Sequence, residues 1–139
     1  MPQGELRPDF DSIIEFLKNY VPDGPWTLVA IEPDPAEGQH ARAPGRYFTD
    51  LTEVRAWLEE HQSWNLYYAV NETVPVRTTP TKGQMAFSRG LHVDVDVPDD
   101  PGRAINRLQS MTPRPTYIVN TGGGGQANWC FSEIGRAHV

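Results

Sequence analysis

Asp94 and Asp96 stand two residues apart in Leu91-His92-Val93-Asp94-Val95-Asp96-Val97, a run that alternates apolar and polar residues. In a strand this alternation sends Leu91, Val93, Val95 and Val97 to one face and His92, Asp94 and Asp96 to the other. The apolar face is expected to bury itself in a core. On the polar face the carboxylates lie about 7 Å apart, from a rise of roughly 3.3 Å per residue. They repel each other unless a cation sits between or beside them, and hard oxygen donors of this kind suit Mg²⁺ or Mn²⁺. About one helix later comes Thr121-Gly122-Gly123-Gly124-Gly125-Gln126. Glycines that end a strand offer bare backbone N–H groups to which a phosphate can come close. The two segments together predict a metal–nucleotide site.

The elements that must hold these residues are legible in outline. Phe10, Ile13, Ile14 and Leu17 recur at helical spacing, with Asp9 or Asp11 placed to cap the helix and Pro22-Asp23-Gly24-Pro25 to end it. Trp26 to Ile31 reads as a strand, Glu32 to Pro44 as a polar loop, and Arg46-Tyr47-Phe48 as a short extended piece. Asp50-Leu51-Thr52-Glu53 has capping-box spacing ahead of the stripe Leu51, Val54, Trp57, Leu58. Trp64 to Val70 is expected as a strand. Thr73 to Arg89 is expected as a loop with one helical turn near Gln84 to Phe87. After the carboxylate strand, Asp99 or Asp100 caps a third helix with Pro101 in its first turn and Ile105, Leu108 and Met111 as its core stripe. Tyr117-Ile118-Val119 is a strand, the glycine run a turn, and Gln126 to Phe131 its antiparallel partner. The order predicts an α+β fold.

At 139 residues the chain is expected to form one domain, 1–139, with a core of its own. No apolar run reaches membrane-spanning length, and the N-terminus lacks a basic region followed by an apolar one. Cys130 is the single cysteine, so an internal disulfide is excluded and a reducing, cytoplasmic setting is expected, with Cys130 as a small core residue. The net charge of −6 is unevenly spread. Residues 1–72 hold five Lys and Arg against thirteen Asp and Glu, whereas residues 77–114 hold six against four. Basic residues thus gather around the carboxylate strand, where phosphates need them.

From Trp26 to Phe131 the order of features resembles the primase-polymerase domains of the archaeo-eukaryotic primase superfamily, nearest to those of phage and plasmid replication proteins. The resemblance is carried by Trp26–Ile31, Trp64–Asn71, His92-Val93-Asp94-Val95-Asp96 and Thr121–Trp129. It implies a catalytic core related to the RNA-recognition fold, preceded by an N-terminal αβ unit. It implies that Asp94 and Asp96 hold the catalytic Mg²⁺ or Mn²⁺ ions, and that Thr121, Gly122, Gly123, Gly124 and Gln126 contact the phosphates of an incoming nucleotide. Gln126 stands where many members have His; it can donate a hydrogen bond to phosphate but carries no positive charge. A third motif, a late acidic residue that completes the metal site, has no convincing match after Phe131, Glu133 being too close to the turn. The expectation is a C-terminally truncated domain that binds metal and nucleotide but makes little or no primer. Arg77, Lys82, Arg89 and His92 are candidate contacts for DNA or triphosphate. The implied partners are nucleoside triphosphates, a single-stranded DNA template and a helicase domain of the full-length protein.

Structural explanations compete with each assignment. Asp94 and Asp96 also suit a strand edge kept soluble by charge, and the glycine run also suits a flexible hairpin turn. Trp64, Tyr67 and Tyr68 could stack on bases, although core packing suits at least two of them. Two other functions remain in play: a non-catalytic nucleotide- or DNA-binding module of the same fold, and another Asp-x-Asp metal enzyme.

Overall fold

The computed structural model describes residues 9–131, which fall into two compact units divided between Phe87 and Ser88. Helices and antiparallel sheets contribute to both, an α+β architecture.

In the N-terminal unit, α1 (Phe10–Tyr20) starts at Asp9, whose carboxylate accepts hydrogen bonds from the Ser12 amide and hydroxyl. The strands β1 (Trp26–Ile31), β2 (Gly45–Phe48) and β3 (Asn65–Tyr68) form an antiparallel sheet in the order β2-β1-β3. Between β2 and β3 lies α2 (Leu51–Glu60), capped by Asp50, which accepts from the Thr52 amide at 2.8 Å. Trp26, Leu28 and Ala30 of β1 join Phe48, Leu17, Val54, Trp57 and Leu58 in one core. The intervening Thr27 and Val29 are buried as well, and Thr27 is tied by its hydroxyl to Thr73 at 2.6 Å. A strand buried on both faces explains the nearly unbroken apolar run of β1. Trp64 and Tyr68 pack against this core, while Tyr67 is exposed.

The stretch after β3 holds more structure than its composition suggests. A two-residue strand β4 (Glu72–Thr73) pairs with β5 (Met85–Phe87). The helical turn expected at Gln84 to Phe87 lies earlier, as a 3₁₀ turn over Lys82–Gln84, and Met85–Phe87 is extended. The Gln84 side chain, by accepting from the Thr81 amide at 2.9 Å, starts that turn two residues sooner.

The C-terminal unit carries the Asp-x-Asp strand. Here β6 (Gly90–Asp96), α3 (Pro101–Gln109), β7 (Tyr117–Asn120) and β8 (Gly124–Cys130) form a sheet in the order β6-β8-β7. Because β8 is antiparallel to both neighbours, β6 and β7 run parallel on either side of it, joined through α3. This is a split βαβ unit with the returning strand between its two halves. Asp100, the N-cap of α3, accepts from the Arg103 amide, and Ala104 and Leu108 are buried.

The helix sits over β8. A Cβ on Gly125 would come within 2.7 Å of Ile105 Cδ1 and 2.9 Å of Leu108 Cδ1, so glycine there lets helix and sheet meet. That placement corrects two expectations. The apolar face of β6 is not buried throughout, for Leu91 is 65% exposed and Val93 40%. Met111 lies beyond the end of α3 and is exposed, not part of its core stripe. Alternation along a strand names a face, but a helix centred on the middle strand does not cover the outer one. Cys130, expected in the core, is only partly buried.

Candidate metal and nucleotide site

Cross-strand register decides which residues share the carboxylate face. Asp94 lies opposite Gln126, His92 opposite Asn128 and Asp96 opposite Gly124. Val119 and Tyr117 of β7 sit beyond Gln126 and Asn128. Residues opposite one another project to the same side of a sheet, and Val95 pairs with Gly125, the residue beneath α3. The face of His92, Asp94 and Asp96 is therefore the one turned away from the helix. All three side chains are exposed.

A chain of amide contacts orders this face. Gln126 Nε2 donates to Asp94 Oδ1 at 3.0 Å, and Asn128 Nδ2 donates to Gln126 Oε1 at 3.3 Å. Asn128 is 2% exposed, the most deeply buried polar residue of the unit. Its amide fixes which end of Gln126 faces Asp94, since an amide that accepts at its oxygen must turn its nitrogen the other way. Gln126, expected to reach a phosphate, thus directs its amide nitrogen to the Asp94 carboxylate. Sequence reasoning did not single out Asn128. The signal available was its position two residues after Gln126 on a strand, hence on the same face.

The glycine turn is more self-satisfied than expected. The Gly122 amide donates to Asn120 Oδ1 at 2.9 Å, the Thr121 amide to the Gly124 carbonyl at 3.2 Å, and the Val97 amide to the Gly123 carbonyl at 3.0 Å. Among turn residues 121–123, only the Gly123 N–H has no acceptor among the described residues. The four glycines also have separable reasons. Gly122 has φ +89°, a conformation that favours glycine. A Cβ on Gly124 would lie 1.9 Å from the Val95 carbonyl oxygen, so strand pairing itself demands glycine there. Gly125 admits α3. Gly123 has neither a positive φ nor any atom within 4 Å of a Cβ built on it, so the fold does not account for it.

The remaining candidates separate by position. Lys82 and Arg77 are exposed residues of the N-terminal unit, His92 is exposed on β6, and Arg89 is 5% exposed and buried. Glu133 lies outside the described residues. Among the described residues no group of three or more His, Cys, Asp or Glu side chains converges, so Asp94 and Asp96 stand as a pair. No helix of the described residues is long and apolar enough to cross a membrane. Comparison with protein-family models, curated proteins and solved structures gives no match.

Proposed function

We propose that the C-terminal unit is the metal- and nucleotide-binding part of a primase-polymerase-type nucleotidyltransferase, with a core related to the RNA-recognition fold. One observation carries the reading. Asp94 and Asp96 share an exposed strand face beside a hairpin whose Gly123 keeps an open approach and an N–H with no acceptor among the described residues. The split βαβ order β6-β8-β7 supports the proposed core. In this account the carboxylates are metal ligands and not general bases. Mg²⁺ or Mn²⁺ would supply Lewis acidity at the phosphate and at the attacking 3′-hydroxyl. The chain's own part is to hold carboxylate orientation through Asn128 and Gln126, and to meet a phosphate with the Gly123 N–H. Thr121 and Gly122 shape the turn, and Gly124 closes it against β6. The proposed partners are nucleoside triphosphates, a single-stranded DNA template and a helicase domain of a longer protein.

The pairing of Asp94 with an amide favours a second reading, a binding module that keeps the fold without catalysis. Labelled-nucleotide incorporation on a single-stranded template, with Mn²⁺ or Mg²⁺, separates the two. With only two acidic ligands among the described residues, the first reading expects incorporation that is weak, metal-dependent and abolished by Asp94→Asn. Nucleotide binding with no incorporation under any metal would favour the module.

A further inference from the structure

The N-terminal unit holds a cleft built by a close backbone approach. The Gly45 amide donates to the Arg77 carbonyl at 3.3 Å, Pro44 bridges to Thr78, and Thr79 Oγ1 donates to the Ala43 carbonyl at 3.0 Å. Only glycine permits this, because a Cβ on Gly45 would lie 2.2 Å from the Thr78 carbonyl oxygen. The pairing sets Arg46 and Arg77 on a common cleft of about 700 Å³, walled by Pro44, Pro75 and Trp57 and bordered by Gln84. That volume lies within the range of sites for small organic ligands.

The charges in this cleft all have one sign. In this unit Arg42 pairs with Glu32 and Arg55 with Asp11. Arg46 and Arg77 meet no carboxylate among the described residues, and no acid lines the cleft. Yet residues 9–87 hold twelve Asp and Glu against six Lys and Arg, so the cleft is a cationic concavity in an acidic unit. The Arg46 guanidinium lies 5.0 Å from the Phe48 ring centroid, which restrains its plane and leaves its N–H edge for a ligand. Gln84 accepts from the Thr81 amide through Oε1, which turns its Nε2 into a further donor. The donors of Arg46, Arg77 and Gln84, two of them planar forks, match an anion with several oxygens on one centre, as phosphate has. The proline and tryptophan walls suit an organic body attached to it.

We propose that this cleft binds the phosphate of a nucleoside-phosphate ligand, either a free nucleotide or one phosphodiester of a single strand. It lies in a different unit from Asp94 and Asp96 and does not rest on the metal reading. The test uses the 139-residue chain at low salt in EDTA, which removes any metal contribution. Binding of a fluorescent oligothymidylate is followed by anisotropy, and binding of dTTP by calorimetry. Arg77→Ala is expected to weaken binding about tenfold, the loss of one charge-assisted contact. The Arg46→Gln, Arg77→Ala double variant is expected to weaken it further, and to flatten the salt dependence for the strand by roughly 0.7 per lost phosphate contact. Arg46→Lys keeps the charge without the fork and is expected to fall between. Loss in the oligothymidylate arm alone assigns the phosphodiester, and loss in the dTTP arm alone assigns the nucleotide. Should the double variant lose its circular dichroism spectrum, Arg77→Ala and Arg77→Glu, changes at an exposed residue, decide the matter. A parent that binds neither ligand, or variants that bind both as the parent does, would overturn the proposal. Mn²⁺ binding by the same variants is expected to be unchanged, which separates failure of this cleft from failure of the carboxylate site.

Discussion

The four glycines of the Thr121–Gln126 turn differ in what the fold asks of them, and this makes the site testable one residue at a time. Gly124→Val drives a side chain into the Val95 carbonyl and is expected to break the β6–β8 pairing, seen as lost cooperativity in thermal unfolding. Gly123→Val meets open space, so the fold is expected to survive while triphosphate binding is lost. If Gly123→Val binds triphosphate as well as the parent does, the turn is only structural. Gln126→Glu probes the carboxylate directly. It replaces the 3.0 Å hydrogen bond to Asp94 with a second negative charge, which costs stability without metal and gives a cation a third ligand. Calorimetry is expected to show tighter Mn²⁺ binding beside a lower melting temperature, and weaker Mn²⁺ binding would count against the site. The Asp-x-Asp pair and the glycine run were legible in the sequence because alternation and composition mark them. The Asn128–Gln126–Asp94 chain was not, because it depends on the register of two strands whose partners Asp94 and Gln126 stand 32 residues apart, and no local pattern fixes a register.

At the scale of elements, α3 holds the carboxylate sheet together. Leu108 is fully buried, and with Ile105 it presses on β8 at Gly125. Leu108→Ala is expected to destabilise the C-terminal unit by about 2–5 kcal/mol, measured by chemical denaturation. In a unit with so few buried apolar side chains that is a large share of its stability. Helix α1 offers a pH test. The Ser12 hydroxyl, and then its amide, hold the Asp9 carboxyl below the ordinary carboxylate range. A carboxyl lowered in the folded state stabilises above its unfolded pKa and loses that contribution as pH falls through the folded one. Helicity of α1 is therefore expected to decline only in strong acid, and Asp9→Asn to remove that dependence. The helices were readable because caps and apolar spacing agree: Asp9, Asp50 and Asp100 each cap as their neighbours suggest. The segment from Thr73 to Arg89 was not, because β4 and β5 are two and three residues long and owe their form to each other. Burial of β6 was overread for a related reason: alternation cannot say which strand a helix will cover.

Over the whole molecule, the chain divides into two units that differ in charge and in the groups they present. The N-terminal unit is acidic except at the cleft of Arg46 and Arg77, and the C-terminal unit carries the carboxylate pair and the hairpin. The division at Phe87 was not legible beforehand, since no linker-like run of glycine, serine or proline marks it; only the contact pattern does. The central claim is that Asp94 and Asp96 hold a divalent cation through which the Gly123 turn receives a triphosphate. It is tested most directly by calorimetric titration of dTTP into the parent, Asp94→Asn and Asp96→Asn, each with and without Mn²⁺. The account predicts that Mn²⁺ tightens dTTP binding to the parent. Each variant, changed at an exposed residue and still folded, is expected to lose that gain by more than the roughly 10–100-fold that removing a supporting residue costs at a metal site. Mn²⁺-dependent dTTP binding that is the same in the parent and in both variants would contradict it.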